Sequence, residues 1–108
     1  MKESTFLLVL TSPGMAEMRL RCDAVSFTVP DGKNGKNGGS VGIRPGHTDA
    51  MMALDRGKIV ARLEGQNVFS GTTSGGFAMV EGQRVTILIN DLRIDQVDQG
   101  CFVSEEQK

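Results

Sequence analysis

The stretch that organises this chain is GSVGIRPGHTD, which runs from Gly39 to Asp49. It begins with a short apolar segment of strand character and continues into the turn Arg44–Pro45–Gly46–His47. Proline fixes φ at about −65° at the first central position, and glycine supplies the positive φ that a type II turn requires at the second. The sequence therefore predicts an exposed corner with a fixed backbone, which carries the only histidine of the chain.

The length and net charge of the chain limit the number of domains and the classes of partner that are expected. A chain of 108 residues is expected to form one domain with a modest core. The net charge of −1 provides neither a basic surface for nucleic acid nor a polybasic patch for membranes. No apolar run approaches the roughly 20 residues of a membrane span, and the apolar stretch near the start is too short for a signal peptide. We therefore expect no nucleic-acid partner and no direct membrane insertion.

Segments of strand character recur at intervals of about 8–12 residues, with turn residues between them. Thr5–Thr11 is continuously apolar, which indicates a strand buried on both faces. Glu17–Cys22 and Ala24–Val29 alternate between apolar and polar residues, as half-buried strands do. After the corner, further strands are predicted at residues 50–54, 58–63, 68–72, 77–80, 84–89 and 93–95. The pattern predicts an all-β sandwich or barrel.

A glycine-rich loop and two cysteines could indicate a phosphate site, a disulfide or a metal site, but their spacing does not favour any of these. The loop Asp31–Gly38, DGKNGKNG, has the glycines and lysines of a phosphate loop but neither the GxxxxGK[ST] spacing nor a following helix. Cys22 falls on the buried phase of its strand and is expected in the core, whereas Cys101 lies in a polar tail. A disulfide between them is the less favoured alternative. With one histidine and no CxxC pair, the sequence predicts no metal site.

Catalysis is also not predicted. A hydrolytic site needs a nucleophile, a base and a group that orients the base. A set drawn from Ser40, His47 and Asp49 would be crowded onto one hairpin without supporting residues. The carboxylates on turns are scattered along the chain rather than paired, at Asp31, Asp55, Glu64 and Glu81. We therefore expect no catalytic residue and no cofactor, and we favour a binding or structural module whose contacts lie at strand ends and turns.

Three motifs together resemble the N-terminal β-sandwich domain of the epsilon subunit of F-type ATP synthases. The first is G-x-x-G-I-x-P-G-H at Gly39–His47, and the second is L-x-x-G-x-I, which begins at Leu54. The third is S-G-G-F-x-x-V at Ser74–Val80, followed by V-T-I-L at Val85–Leu88. The resemblance implies a flattened β-sandwich of about ten short, mostly antiparallel strands. We expect this domain at residues 1–95 and a short polar C-terminal tail at residues 96–108.

The function that the resemblance implies is that of a non-catalytic subunit in the central stalk, or rotor, of a proton- or sodium-translocating ATP synthase. In that family the domain links the gamma subunit to the c-ring, couples ion flow to ATP synthesis, and lies at the cytoplasmic face of the bacterial plasma membrane. Gly39–Ile43 resembles the edge that contacts the c-ring, and Pro45–Thr48 resembles the neighbouring surface that faces gamma. The implied partner-binding residues are Gly39, Ser40, Val41, Gly42, Ile43, Pro45, Gly46, His47 and Thr48.

The chain departs from the family pattern in two places. Asp49 stands where the family often has a proline, two residues after the histidine. After Ile94 and Asp95 the Arg-Ala pair that is associated with ATP binding in some members is absent. The residues after Asp95 are also too few for the family's C-terminal helical hairpin, whose helices have about 3–4 turns each. We therefore expect no ATP binding and no inhibition by inserted helices.

One alternative remains open, namely a stand-alone β-sandwich interaction or assembly module with no role in a rotary ATPase.

The sequence also predicts the exposure of individual side chains. Phe77 is expected in the core, and strand alternation predicts that at most one of Met51 and Met52 is exposed. Replacing Val41 and Ile43 together by aspartate is expected to abolish coupling to the c-ring without unfolding the domain.

Overall fold

Ten strands lie in the part of the chain that the computed structural model describes, residues 5–30, 39–98 and 100. The loop Asp31–Gly38, Cys101 and most of the expected tail lie outside these residues. The strands are β1 (Phe6–Thr11), β2 (Met18–Cys22), β3 (Ala24–Thr28), β4 (Ser40–Ile43), β5 (Ala50–Leu54), β6 (Gly57–Leu63), β7 (Gln66–Thr73), β8 (Gly76–Glu81), β9 (Arg84–Ile89) and β10 (Arg93–Val97).

The strands form two five-stranded sheets that enclose one core. The first sheet has the order β2-β1-β9-β8-β5, and the second has the order β10-β7-β6-β3-β4. Neighbouring strands are antiparallel in every pair except β1 and β9, which run parallel. The predicted all-β, mostly antiparallel sandwich is therefore confirmed. Among the described residues, no helix is long and apolar enough to cross a membrane.

The core is built from alternate residues of the strands, because successive side chains of a strand point to opposite faces. Its three largest side chains are Phe6, Phe27 and Phe69, each exposed by 2% or less. Full burial of a side chain of this size contributes about 2–3 kcal/mol. Cys22 also lies in this core, as its position on the strand predicted.

The S-G-G motif at the start of β8 has a packing reason. A Cβ atom added at Gly76 would lie 2.7 Å from the Cα atom of Ile89 in β9, closer than real Cβ atoms approach such a neighbour. A residue without a side chain is therefore needed where these two backbones meet. Because β8 and β9 are aligned from Gly76 opposite Ile89 to Glu81 opposite Arg84, this close approach lies at the start of their ladder.

The expectation that Phe77 lies in the core is wrong. Its side chain is 57% exposed, while Ala78 and Val80 occupy the inward positions of β8. The segment FAMV is apolar at every position, so no polar residue marks which side of the strand faces water. The expectation for β5 is confirmed, since Met51 is exposed and Met52 is partly buried against the core.

The last strand extends further than predicted. β10 continues past Asp95 because Gln96 and Val97 pair with Ser70 and Phe69 of β7 after a bulge. The strand therefore crosses the expected boundary between residues 95 and 96.

Candidate functional site

The corner Arg44–His47 joins the two sheets at their edges. It leaves β4, an edge strand of the second sheet, and leads into β5, an edge strand of the first sheet. The backbone N–H of His47 donates to the carbonyl oxygen of Arg44 at 3.2 Å, and Gly46 has a φ of 86°. This is the hydrogen bond and the positive φ of a type II turn, so the predicted turn is confirmed.

Side chains within the same segment hold the corner in place. The Nδ1–H group of His47 donates to the carbonyl oxygen of Thr48 at 2.7 Å, which fixes the ring and places a proton on Nδ1. The Asp49 carboxylate accepts a hydrogen bond from the N–H of Gly82 at 3.0 Å. Asp49 thus links the corner to the turn between β8 and β9, which gives a local reason for aspartate at this position.

The predicted contact residues differ in exposure. Those that are open to solvent are Gly39, Ser40, Gly42, Gly46 and Thr48, and those that are half-buried are Val41, Pro45 and His47. Ile43 is 0% exposed and lies opposite Val25 of β3 in the core. Its side chain therefore cannot reach a partner. This burial argues against the expectation that the domain stays folded when residue 43 is replaced by aspartate.

A second surface feature, which was not predicted from the sequence, lies on the outer side of the first sheet. Cross-strand register aligns Ala53 with Phe77 and Phe77 with Leu88, and it aligns Met51 with Met79 in the adjacent row. Met51, Phe77 and Leu88 are exposed by 69%, 57% and 46%. We call the set Met51, Ala53, Phe77, Met79 and Leu88 the apolar face.

This face departs from the normal pattern of an antiparallel sheet, whose solvent side is usually polar. The signal was present in the sequence, because β5 and the FAMV segment of β8 carry apolar residues at their outward as well as their inward positions, and β9 adds Leu88 on the outer side. An apolar group of this kind on a monomer typically marks a surface that binds another protein. The face includes Met51 and Ala53 of β5, the strand into which the corner leads.

A groove of about 530 Å³ extends the apolar face at its far end. It borders the face at Phe77 and Leu88, and it is lined by Thr11, Ser12, Pro13, Gly76, Phe77, Leu88, Ile89 and Asn90. The opposite edge of the same sheet is charged, since β2 presents Arg19 and Arg21, and Arg19 pairs with Glu17 at 2.8 Å. The outer side of the sheet therefore changes from apolar at β5 to charged at β2.

Two further features of the described residues bear on metal binding and on the role of carboxylates. Within them, no three histidine, cysteine, aspartate or glutamate side chains lie together in a way that could hold a metal ion. A polar groove of about 370 Å³ is lined by Arg56, Thr72, Thr73, Ser74, Asp91, Leu92 and Arg93. Its carboxylate, Asp91, accepts a hydrogen bond from the N–H of Ser74 at 2.8 Å and so has a structural role.

The Asp91 carboxylate is expected to make the stability of the domain depend on pH. Hydrogen bonds from Ser74 hold the pKa of the Asp91 carboxyl below its ordinary value of 3.8. A pKa lowered by folding means that the ionised carboxylate stabilises the fold at neutral pH, and that this contribution is lost as the pH falls through the folded-state pKa. We expect Asp91→Ala to lower the melting temperature at pH 7, and the difference from the wild type to shrink below pH 3.8.

Calorimetric melting across this pH range is the measurement. Glu81→Ala is the matched control, because it removes a carboxylate that accepts no hydrogen bond from the described residues. An Asp91→Ala variant whose melting curve matches that of Glu81→Ala at every pH would contradict the assigned role of the Ser74 hydrogen bond.

Comparison with known proteins identifies related sequences. The family described as "ATP synthase, Delta/Epsilon chain, beta-sandwich domain" matches residues 22–93, which is more than half of the chain. The chloroplastic ATP synthase epsilon chain of Huperzia lucidula is 44% identical over 55 residues, which are 51% of this chain and 39% of the relative. That of Staurastrum punctulatum is 32% identical over 76 residues, covering 65% of this chain and 54% of the relative. The chain thus spans about half the length, or less, of these curated relatives.

Two solved structures share the fold. A chain in the mitochondrial ATP synthase central stalk and c-ring of Tetrahymena thermophila aligns with a TM-score of 0.57 and 19% identity, covering 85% of this chain and 68% of that one. A chain in the OSCP/F1/c-ring structure of the Euglena gracilis mitochondrial ATP synthase aligns with a TM-score of 0.65 and 21% identity, covering 91% of this chain and 59% of that one.

Proposed function

Because the chain belongs to the family of ATP synthase delta/epsilon chain β-sandwich domains, we propose that it is a central-stalk subunit of an ion-translocating F-type ATP synthase. In this role it links the gamma subunit to the c-ring and couples proton or sodium flow to ATP synthesis. It acts as a peripheral component of the membrane-bound complex and contributes no catalytic residue. The resemblance favours the cytoplasmic face of a bacterial membrane, although the relatives named above are chloroplastic.

The observation that carries this proposal is the surface formed by the apolar face and by the corner that leads into its first strand. Large apolar side chains such as Met51 and Phe77 are costly to leave in water, and burial contributes about 25 cal/mol for each Å² of apolar area. Methionine and aromatic residues are also enriched at protein–protein interfaces. The surface therefore has the composition of a permanent docking site rather than that of a catalytic cleft.

The two parts of the surface suit different contacts. We assign the apolar face and Pro45–Thr48 to gamma, and the exposed backbone and side chains of Gly39, Ser40 and Gly42 to the loops of the c-ring. Ile43 contributes only through its backbone, since its side chain is buried. A turn fixed by proline and glycine loses little conformational freedom on binding, which reduces the cost of association.

Co-purification of the intact complex tests this function. The full chain, carrying an affinity tag, is expressed in its own host, and the membranes are solubilised and purified on the tag. We expect the ATP synthase, including gamma and the c-ring, to be retained with the chain. ATP-driven ion pumping in vesicles is expected to fall when the chain is removed from the complex and to recover when it is added back.

The alternative is distinguishable in the same experiment. A stand-alone interaction module would be recovered without ATP synthase subunits, and vesicles that contain the enzyme would pump ions equally well with and without it. That pair of results would contradict the proposed function and favour the stand-alone module.

A further inference from the structure

The edge strands of the two sheets differ in how their open sides are protected. In the described part of the chain, β2 carries Arg19 and Arg21, and β10 carries Arg93 and Asp95 together with a bulge. β4 has only four residues, of which Gly42 is one. Charges, bulges and short length are the usual means by which proteins prevent another strand from pairing with an exposed edge.

The remaining edge strand, β5, has none of these protections. Its sequence AMMAL contains no charge, proline or glycine. Its pairing with β8 is continuous from Ala50 opposite Val80 to Leu54 opposite Gly76, without a bulge. A regular, apolar edge of this kind is a template for the addition of another strand.

The direction of the hydrogen bonds identifies the groups at this open edge. The N–H of Asp55, directly after β5, donates to the carbonyl oxygen of Thr28 at 2.9 Å and so points away from β8. In an antiparallel ladder, alternate residues direct their N–H and C=O groups to the same side. This alternation places the N–H and C=O groups of Met51 and Ala53 at the open edge of β5. The side chains of these same two residues belong to the apolar face.

We propose that β5 is a strand-addition site, at which an extended segment of the central-stalk partner pairs with Met51 and Ala53 and becomes a sixth strand of the first sheet. The inference rests on the proposed function, since the added strand belongs to the partner that covers the apolar face. The edge and the face are contiguous, so one partner can cover both. The edge carries no charge, so we expect the added segment to have apolar residues at alternate positions. Their side chains would then lie beside Ala53 and extend the row that contains Phe77 and Leu88.

Residue-resolved hydrogen exchange tests the main-chain pairing. The full chain is compared free and bound to the purified gamma subunit. We expect the amides of Met51 and Ala53 to exchange at least about 100-fold more slowly in the complex, while the amide of Met52, which bonds to β8, changes little. Contact through side chains alone would not give this alternation of protected and unchanged amides.

Ala53→Pro tests the same point by mutation. Proline removes the N–H of residue 53 with a small change in side-chain volume, and it is tolerated in edge strands where that N–H faces solvent. Ala53→Val is the matched control, because it retains the N–H and enlarges the side chain. We expect the two variants to melt within a few degrees of each other, and Ala53→Pro to bind gamma at least about tenfold more weakly than Ala53→Val.

The outcomes that contradict strand addition differ from those that contradict the proposed function. Equal binding by the two variants, or exchange that shows no alternation, would overturn strand addition while leaving the proposed function intact. A proline variant that melts far below the valine variant would show that the N–H of Ala53 bonds to β8, which also overturns the assignment. Protection of Met51 and Ala53 in a dimer of the free chain would make a second copy the occupant. Failure of the wild-type chain to bind gamma or the complex would overturn the proposed function and this inference together.

Discussion

Phe77→Asp is expected to abolish association with the central stalk while the free chain remains folded. In the free chain the residue 77 side chain is 57% exposed, so the carboxylate stays in water. In the complex the same charge would be buried against an apolar partner surface without a counter-charge, which is strongly unfavourable. Buried aromatic residues at the centre of an interface contribute about 2 kcal/mol or more, which is about 30-fold in affinity for gamma, and the buried charge adds to this loss.

Titration calorimetry with purified gamma measures this loss. Gln66→Asp introduces the same charge at an exposed position at the start of β7, on the other sheet, and is expected to bind as the wild type does. Phe77→Leu retains an apolar side chain and is expected to bind with intermediate affinity. If Phe77→Asp bound gamma normally, the apolar face would not be the interface. If it melted far below Gln66→Asp, the side chain would belong to the core.

Ile43→Asp is expected to unfold the domain. The side chain is 0% exposed and lies in the core of the sandwich, opposite Val25. Placing an unpaired charge there costs about 4–5 kcal/mol or more. The total stability of a small domain is about 5–15 kcal/mol, so we expect a strongly lowered melting temperature or no cooperative transition at all. Circular dichroism during heating and denaturant titration provides the measurement.

Gly42→Asp is the matched control, because it places the same charge one residue earlier in β4. Gly42 is exposed, and a Cβ atom added there meets no atom within 4 Å. We expect its free energy of unfolding to remain within about 0.5 kcal/mol of the wild type. A stable Ile43→Asp variant would contradict the placement of Ile43 in the core. Gly42→Asp is also the better probe of contact with the c-ring, since it changes the exposed surface without changing the core.

The sequence predicted the features that depend on neighbouring residues. Pro45 and Gly46 predicted the type II turn, which the hydrogen bond from His47 to Arg44 confirms. The alternation in Glu17–Cys22 predicted which side chains of β2 face the core, because polar residues mark the outer side. Phe77 was predicted on the wrong side of its strand, because β8 has no polar residue inside its apolar run.

The sequence by itself determined the strands, the turn at the corner and the family, since these follow from local backbone preferences and ordered motifs. The tertiary structure decided which of the corner's residues remain available for contact. Ile43 is buried because β4 pairs with β3, and Asp49 is held by Gly82 from a turn far along the chain. The apolar face exists only because β5, β8 and β9 lie side by side. Such pairings join residues that are distant in sequence, and no local pattern encodes which strands will meet.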